Sequence, residues 1–176
     1  MAWKSTPTRY GSVAIAIHWV SAAAIIALLA SGAIMAGVAG APRSSILPIH
    51  ATIGTLVLLL TLLRIAWWAW GDRRPEPVSG QPRVQAMAAR IVHGLLYAGI
   101  IVLGASGIAT LALSGAIPAL LSGSPLPDFA GLLPRTTHGI VSKLMIALLI
   151  AHVGAALFHQ FVRRDRLLAR MGLGRA

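Results

Sequence analysis

The chain has no cysteine and only four acidic residues, Asp72, Glu76, Asp128 and Asp165, in 176. Without thiols it offers no covalent attachment for a c-type haem, no thiolates for an iron–sulfur cluster and no disulfide, so a redox centre must hang on other side chains. Charged residues of both signs make up 11% of the chain against 57% hydrophobic. That is too little charge to solvate the surface of a water-soluble domain of this length, and a membrane is the solvent the composition fits.

Four apolar stretches run over 12–39, 46–70, 87–113 and 138–162. Each exceeds the roughly 20 residues needed to cross the hydrocarbon core. They predict a single domain over 1–176, an all-α membrane protein built as a four-transmembrane-helix bundle. The first stretch is followed by small residues from Val38 to Ala41, as a secretory signal would be, but it is too long for a signal core and contains His18, so it is read as a retained helix.

The formal charge of +11 does not point to nucleic acid, because the cations form no basic face on a soluble module and gather at helix ends. Lys4 and Arg9 precede the first span, Arg73, Arg74, Arg83 and Arg90 follow the second, and Arg163, Arg164, Arg166, Arg170 and Arg175 follow the fourth; the other two connections offer Arg43 and Arg135. The positive-inside bias then puts both termini in the cytoplasm, with Trp67, Trp68 and Trp70 anchoring the inner interface. The connection from Ser114 to Pro134 carries four prolines and reads as an outer loop lying partly in the interface, either a lid or a plain connector. Glycines scattered through the spans serve either helix packing or the approach of a flat ligand.

All six histidines lie in or at the ends of these spans, where ionisable side chains are costly and usually face a functional interior. Helical rise converts sequence distance into depth. His50 and His138 open the second and fourth helices at the outer surface, while His18, nine residues after Arg9, and His152, eleven before Arg163, share a deeper level. His138 and His152 are fourteen residues apart, close to four turns, and so share one face about 21 Å apart along the axis. Arg64 stands fourteen residues after His50, level with His152.

Two imidazoles alone do not complete a zinc site, which wants four ligands, but from opposite helices they are a full axial set for haem iron. The pairs His50 with His138 and His18 with His152 therefore predict two stacked b haems. Gly54, one turn after His50, leaves room for the macrocycle, and Arg64 either binds a haem propionate or snorkels to the inner interface. His93 and His159 sit within about a turn of Arg90 and Arg163, too shallow to pair easily with His18. They read as interface anchors or as protonatable groups for a quinone, whose reduction takes up protons as well as electrons.

These features resemble the bacterial diheme cytochrome b561 family, most closely its superoxide oxidases. The resemblance rests on Arg9-Tyr10 leading into Ile17-His18-Trp19, on His50 followed by Gly54 and Arg64, on His93 with Tyr97 after it, and on His138, His152 and His159 running into a basic tail. It implies a multi-pass protein of the bacterial inner membrane with haem ligands at His18, His50, His138 and His152 and a cytoplasmic-side ubiquinone site involving His159. It also implies superoxide as the donor, oxidised to dioxygen at the periplasmic edge. Arg135, three residues before a ligand, would steer that anion. Family members often carry a lysine in the inner loop near the quinone, where this chain has Arg73, Arg74 and Arg83, and Lys143 is a further departure.

The expected partners are membrane lipid, ubiquinone and superoxide, and a homo-oligomer is compatible with the chain. Two rival readings remain: a cytochrome b subunit linking a periplasmic hydrogenase or dehydrogenase to the quinone pool, and a haem-free bundle in which histidines relay protons.

Overall fold

The computed structural model describes residues 2–37, 42–77 and 80–174. Four long helices dominate: α1 (Ser12–Gly37), α2 (Arg43–Ala66), α3 (Arg83–Leu113) and α5 (Leu133–Phe158). A short α4 (Ala116–Ser122) lies between α3 and α5, and α6 (Leu167–Arg170) closes the chain. No strand occurs among the described residues. With the π-helical turns that prolong α2 (Trp67–Gly71) and α5 (His159–Arg163), the spans reach 26, 29, 31 and 31 residues, enough to cross a bilayer with turns to spare. Helix α1 packs on α2, α2 on α3, and α3 on α5. The outward faces carry exposed apolar side chains such as Ile26, Leu59 and Ile150, as a lipid-facing surface requires.

The helices start earlier than hydropathy alone suggests. α2 begins at Arg43 rather than 46, α3 at Arg83 rather than 87, and α5 at Leu133 rather than 138. Polar first turns carry no hydropathy signal, and the prolines there favour helix starts: Pro82 immediately precedes α3 and Pro134 sits in the first turn of α5. The expected end of the first span at Ala39, and the small residues Val38 to Ala41, lie outside the described residues. The third connection holds a helix where a loop was expected. Gly115 and Gly123 bound α4 at φ 72° and 70°, a conformation costly for any residue with a Cβ.

Small side chains set the close approaches. A Cβ at Gly99 would stand 2.6 Å from Cε of Met145, the fully buried side chain of α5, and one at Gly104 would collide with Leu58. At one end of the bundle the amino-terminal arm, the α2–α3 connection and the carboxyl tail lock together. The Ser5 hydroxyl and N–H donate to the Asp72 carboxylate at 2.7 and 3.0 Å, and Arg170 donates to the carbonyls of Thr8 and Glu76 at 3.0 and 2.6 Å. The Trp19 indole donates to the Met171 carbonyl at 3.0 Å. Desolvation alone would raise the Asp72 pKa, but the bonds from Ser5 and from the Arg73 N–H outweigh it and hold the carboxyl below its usual range. Both termini therefore lie at the same end of the bundle.

Candidate functional site

Near the opposite end, His50 of α2 and His138 of α5 face each other with ring centroids 6.2 Å apart and planes inclined at 60°. The hydrogen bonds around them determine which nitrogen is free. Ser31 of α1 donates its hydroxyl proton to the Leu28 carbonyl at 3.0 Å, so its oxygen accepts from Nδ1–H of His50 at 2.8 Å. On the other side Ser106 of α3 donates to the Leu103 carbonyl at 3.2 Å, and Nδ1–H of His138 reaches both that carbonyl at 3.0 Å and Ser106 Oγ at 3.2 Å. A carbonyl can only accept, so the proton resides on Nδ1 and the Nε2 lone pair is left for a metal. Gly32 and Gly107 follow the two serines, and a Cβ on either would touch the neighbouring imidazole, at 3.5 and 3.4 Å.

The deeper level joins His18 of α1 and His152 of α5, with centroids 6.3 Å apart and planes at 61°. Arg64 of α2 belongs to this level: its Nη1 lies 3.3 Å from Nδ1 of His18 and its guanidinium 6.0 Å from the Tyr97 ring centroid, while its buried Nε has no partner among the described residues. His93 is placed differently from the sequence reading. Its ring stands 5.2 Å from that of His152, well below the surface level assigned to it, because α3 begins at Arg83 and carries His93 ten residues, about 15 Å, into the helix. Its Nδ1–H donates to the Ala89 carbonyl at 2.7 Å.

Both levels pass a simple test of fit for haem. Two imidazoles bound through nitrogen at about 2.0 Å on either side of one metal, with about 1.1 Å from nitrogen to ring centre, hold their centroids about 6.2 Å apart. The observed 6.2 and 6.3 Å match, whereas the 5.2 Å between His93 and His152 leaves too little room. A Cβ at Gly54 would meet only the Leu28 side chain, at 3.9 Å, so there is space beside the outer level. The orphaned Arg64 Nε is a buried cationic donor awaiting an anion, which suits a propionate. No acidic side chain hydrogen-bonds to these four rings among the described residues.

At the end carrying the termini, His159 opens the π-helical turn and its Nδ1 lies 2.5 Å from Oδ2 of Asp165. Asp165 is brought there by a reversal in which Arg164 and Arg166 both take the left-handed conformation, φ 57° and 55°. Each costs about 1–2 kcal/mol for a residue with a Cβ. Arg135 lies exposed in the first turn of α5, with Nη1 3.5 Å from where a Cβ of Gly139 would stand. Lys143 is exposed.

Ser31, Ser106 and Asp165 were not anticipated. The first two had a signal, for Ala-Ser-Gly occurs at 30–32 and again at 105–107.

A bundle of four apolar spans with imidazoles facing each other inside it defines a membrane-embedded b-type cytochrome. Comparison with known proteins gives the family: residues 9–174 match the one described as prokaryotic cytochrome b561. The chain is 28% identical to cytochrome b561 homolog 2 of Escherichia coli (strain K12), covering 97% of this chain and 95% of that protein. It is 31% identical to cytochrome b561 homolog 1 of the same organism over 69% of this chain and 72% of the relative, and 29% identical to cytochrome b562 of Cereibacter sphaeroides over 92% and 94%. The chain belongs to the prokaryotic cytochrome b561 family. It is a bacterial multi-pass membrane protein of electron transfer that uses b-type haem.

Proposed function

We propose that this cytochrome is a superoxide:ubiquinone oxidoreductase, with His50 and His138 holding one haem b and His18 and His152 a second. Two superoxide anions, one quinone and two protons give two dioxygen molecules and one quinol. The observation that carries the reading is the double facing of imidazoles, in which α5 contributes one ring to each level. When bound, the haem iron supplies reversible one-electron transfer, which couples a one-electron donor to a two-electron acceptor across the bilayer. The basic end with both termini is the cytoplasmic one, by the positive-inside bias.

Within this reading each side chain has a task. Ser31 and Ser106 orient the outer imidazoles, while Gly32, Gly54 and Gly107 keep side chains out of the porphyrin's way. Arg64 neutralises a propionate at the deeper level. His159 serves the quinone end, with His93 deeper beside His152, and Arg135 draws superoxide to the outer edge.

A superoxide pulse on the purified, oxidised protein is expected to give a reduced b-type spectrum within the mixing time. Arg135→Glu should slow that reduction about 3–10-fold at low ionic strength, the difference shrinking as salt screens the charge. Insensitivity to the pulse would reject superoxide as donor and favour an electron-relay subunit; unchanged rate and salt dependence in the variant would reject the steering role.

The serines give a smaller prediction. Ser31→Ala leaves Nδ1–H of His50 without its acceptor, whereas in Ser106→Ala the Leu103 carbonyl still serves His138. A donated Nδ1–H makes the imidazole a better electron donor and favours ferric iron, so its loss raises the potential. A bond worth about 1 kcal/mol corresponds to about 40 mV for one electron. Redox titration should show the outer site rising by up to that amount in Ser31→Ala and by less than half of it in Ser106→Ala. Equal shifts in the two would contradict the assignment.

A further inference from the structure

Asp165 stands where electrostatics alone would not put it. The carboxyl end of a helix is the negative pole of its dipole, and an aspartate just beyond α5 and its π-helical turn is repelled there. The chain nonetheless folds Asp165 back beneath that end, between two left-handed residues, Arg164 and Arg166, with no glycine to ease the reversal. The backbone N–H of Asp165 donates to the His159 carbonyl at 3.2 Å, and the carboxylate takes Nδ1 of the same residue. Side-chain exposure is only 13% for His159 and 17% for Asp165, and Oδ1 of Asp165 is buried without a partner among the described residues. Simple charge balance would not need this geometry. Arg163 already offers a cation, but its Nε is 3.8 Å from Oδ2, the looser of the two contacts. Arg170, on the segment packed against the turn, is committed to the carbonyls of Pro7, Thr8 and Glu76.

We infer that Asp165 is a positioning residue that holds His159 as a proton donor at the end of the bundle carrying the termini. Resting on the quinone reading above, the inference gives that site its proton source. With Nδ1–H bound to the carboxylate, the ring presents Nε2, which has no partner among the described residues, to an incoming quinone oxygen. The Nε2–H bond breaks as the quinone O–H bond forms. The neutral imidazole keeps Nδ1–H on Asp165 and takes up a fresh proton at Nε2 from the bulk solution, relayed by water at the basic surface. This happens twice per quinone, once for each electron received from the superoxide donor. The carboxylate fixes ring and tautomer and offsets the positive charge of the protonated ring, the part an orienting carboxylate plays for a catalytic imidazole elsewhere.

The test uses the haem-loaded protein in detergent, a short-chain ubiquinone and a superoxide-generating system, with Asp165→Asn, Asp165→Glu and His159→Gln compared with the unaltered chain. Asp165→Asn is expected to lower kcat for quinone about tenfold or more with KM changed less than threefold, and to increase the solvent isotope effect on kcat. Haem content and the rate of haem reduction by dithionite should stay the same. Asp165→Glu should recover most of kcat, and it also keeps the question decidable if the asparagine variant does not fold. A loss in His159→Gln with none in Asp165→Asn would overturn the pair while leaving the quinone reading intact. Full quinone reduction in His159→Gln would remove His159, and Asp165 with it, from the quinone site. No quinone reduction by the unaltered haem-loaded chain would remove the quinone reading itself, and equal loss in the Asn and Glu variants with no change in isotope effect would reduce Asp165 to a structural tether.

Discussion

Alanine at position 138 is expected to halve the haem content of the purified protein, and alanine at position 152 to do the same, while the double variant is colourless. The reason lies in α5, which gives one imidazole to each level, so that removing one ring disables one site and leaves the other four turns away. The two sites share that helix but no hydrogen-bonding neighbour: the outer rings lean on Ser31, Ser106 and the Leu103 carbonyl, and His18 of the deeper pair on Arg64. A pyridine haemochrome assay against protein concentration reads the stoichiometry, and circular dichroism reports whether the bundle survives. The retained haem should differ between the two single variants in potential, because the part-buried Arg64 stands beside the deeper site whereas Arg135, near the outer one, is exposed to solvent. Undiminished haem in either single variant would exclude that histidine as an axial ligand. Complete loss in both, with helicity preserved, would mean that the two sites do not fill independently.

Much of this arrangement could be read beforehand because a membrane helix is regular. Its backbone must satisfy its own hydrogen bonds in the absence of water, so sequence distance translates directly into height. The fourteen-residue interval between His138 and His152, and the equal interval from His50 to Arg64, placed these residues at two levels without reference to any contact. Rotation and chain reversal did not translate in this way. Nothing in the position of Ser31 says that its hydroxyl faces α2, since facing depends on how helices pack about their axes. His93 was set too near the surface because the polar first turn of α3, from Arg83, is silent in hydropathy. Asp165 was missed for a different reason. Its approach to His159 depends on left-handed backbone at Arg164 and Arg166, where the usual signal, a glycine, is missing.

Arg64 carries the second large expectation, because its surroundings leave its chemistry unfinished. A guanidinium can only donate, so the 3.3 Å contact with His18 makes Nδ1 an acceptor and leaves the ring proton on Nε2. Iron binding through Nε2 requires the opposite tautomer, with the proton on Nδ1, and Arg64 must then turn to another acceptor. Its Nε is buried and unpaired, its ring neighbour is Tyr97, and no acidic residue pairs with it among the described residues. A propionate meets all of these needs, and charge-assisted bonds to it are worth about 1.5–3 kcal/mol, or roughly 10–100-fold in retention. Arg64→Leu should therefore release the deeper haem selectively on dilution or exposure to apomyoglobin, with the outer haem kept. Arg64→Lys separates this role from simple snorkelling: a lysine reaches the interface as well as an arginine does, but it cannot offer paired N–H donors to a carboxylate. Intermediate retention in the lysine variant fits propionate binding, whereas full retention in both variants would show that the arginine serves only the interface.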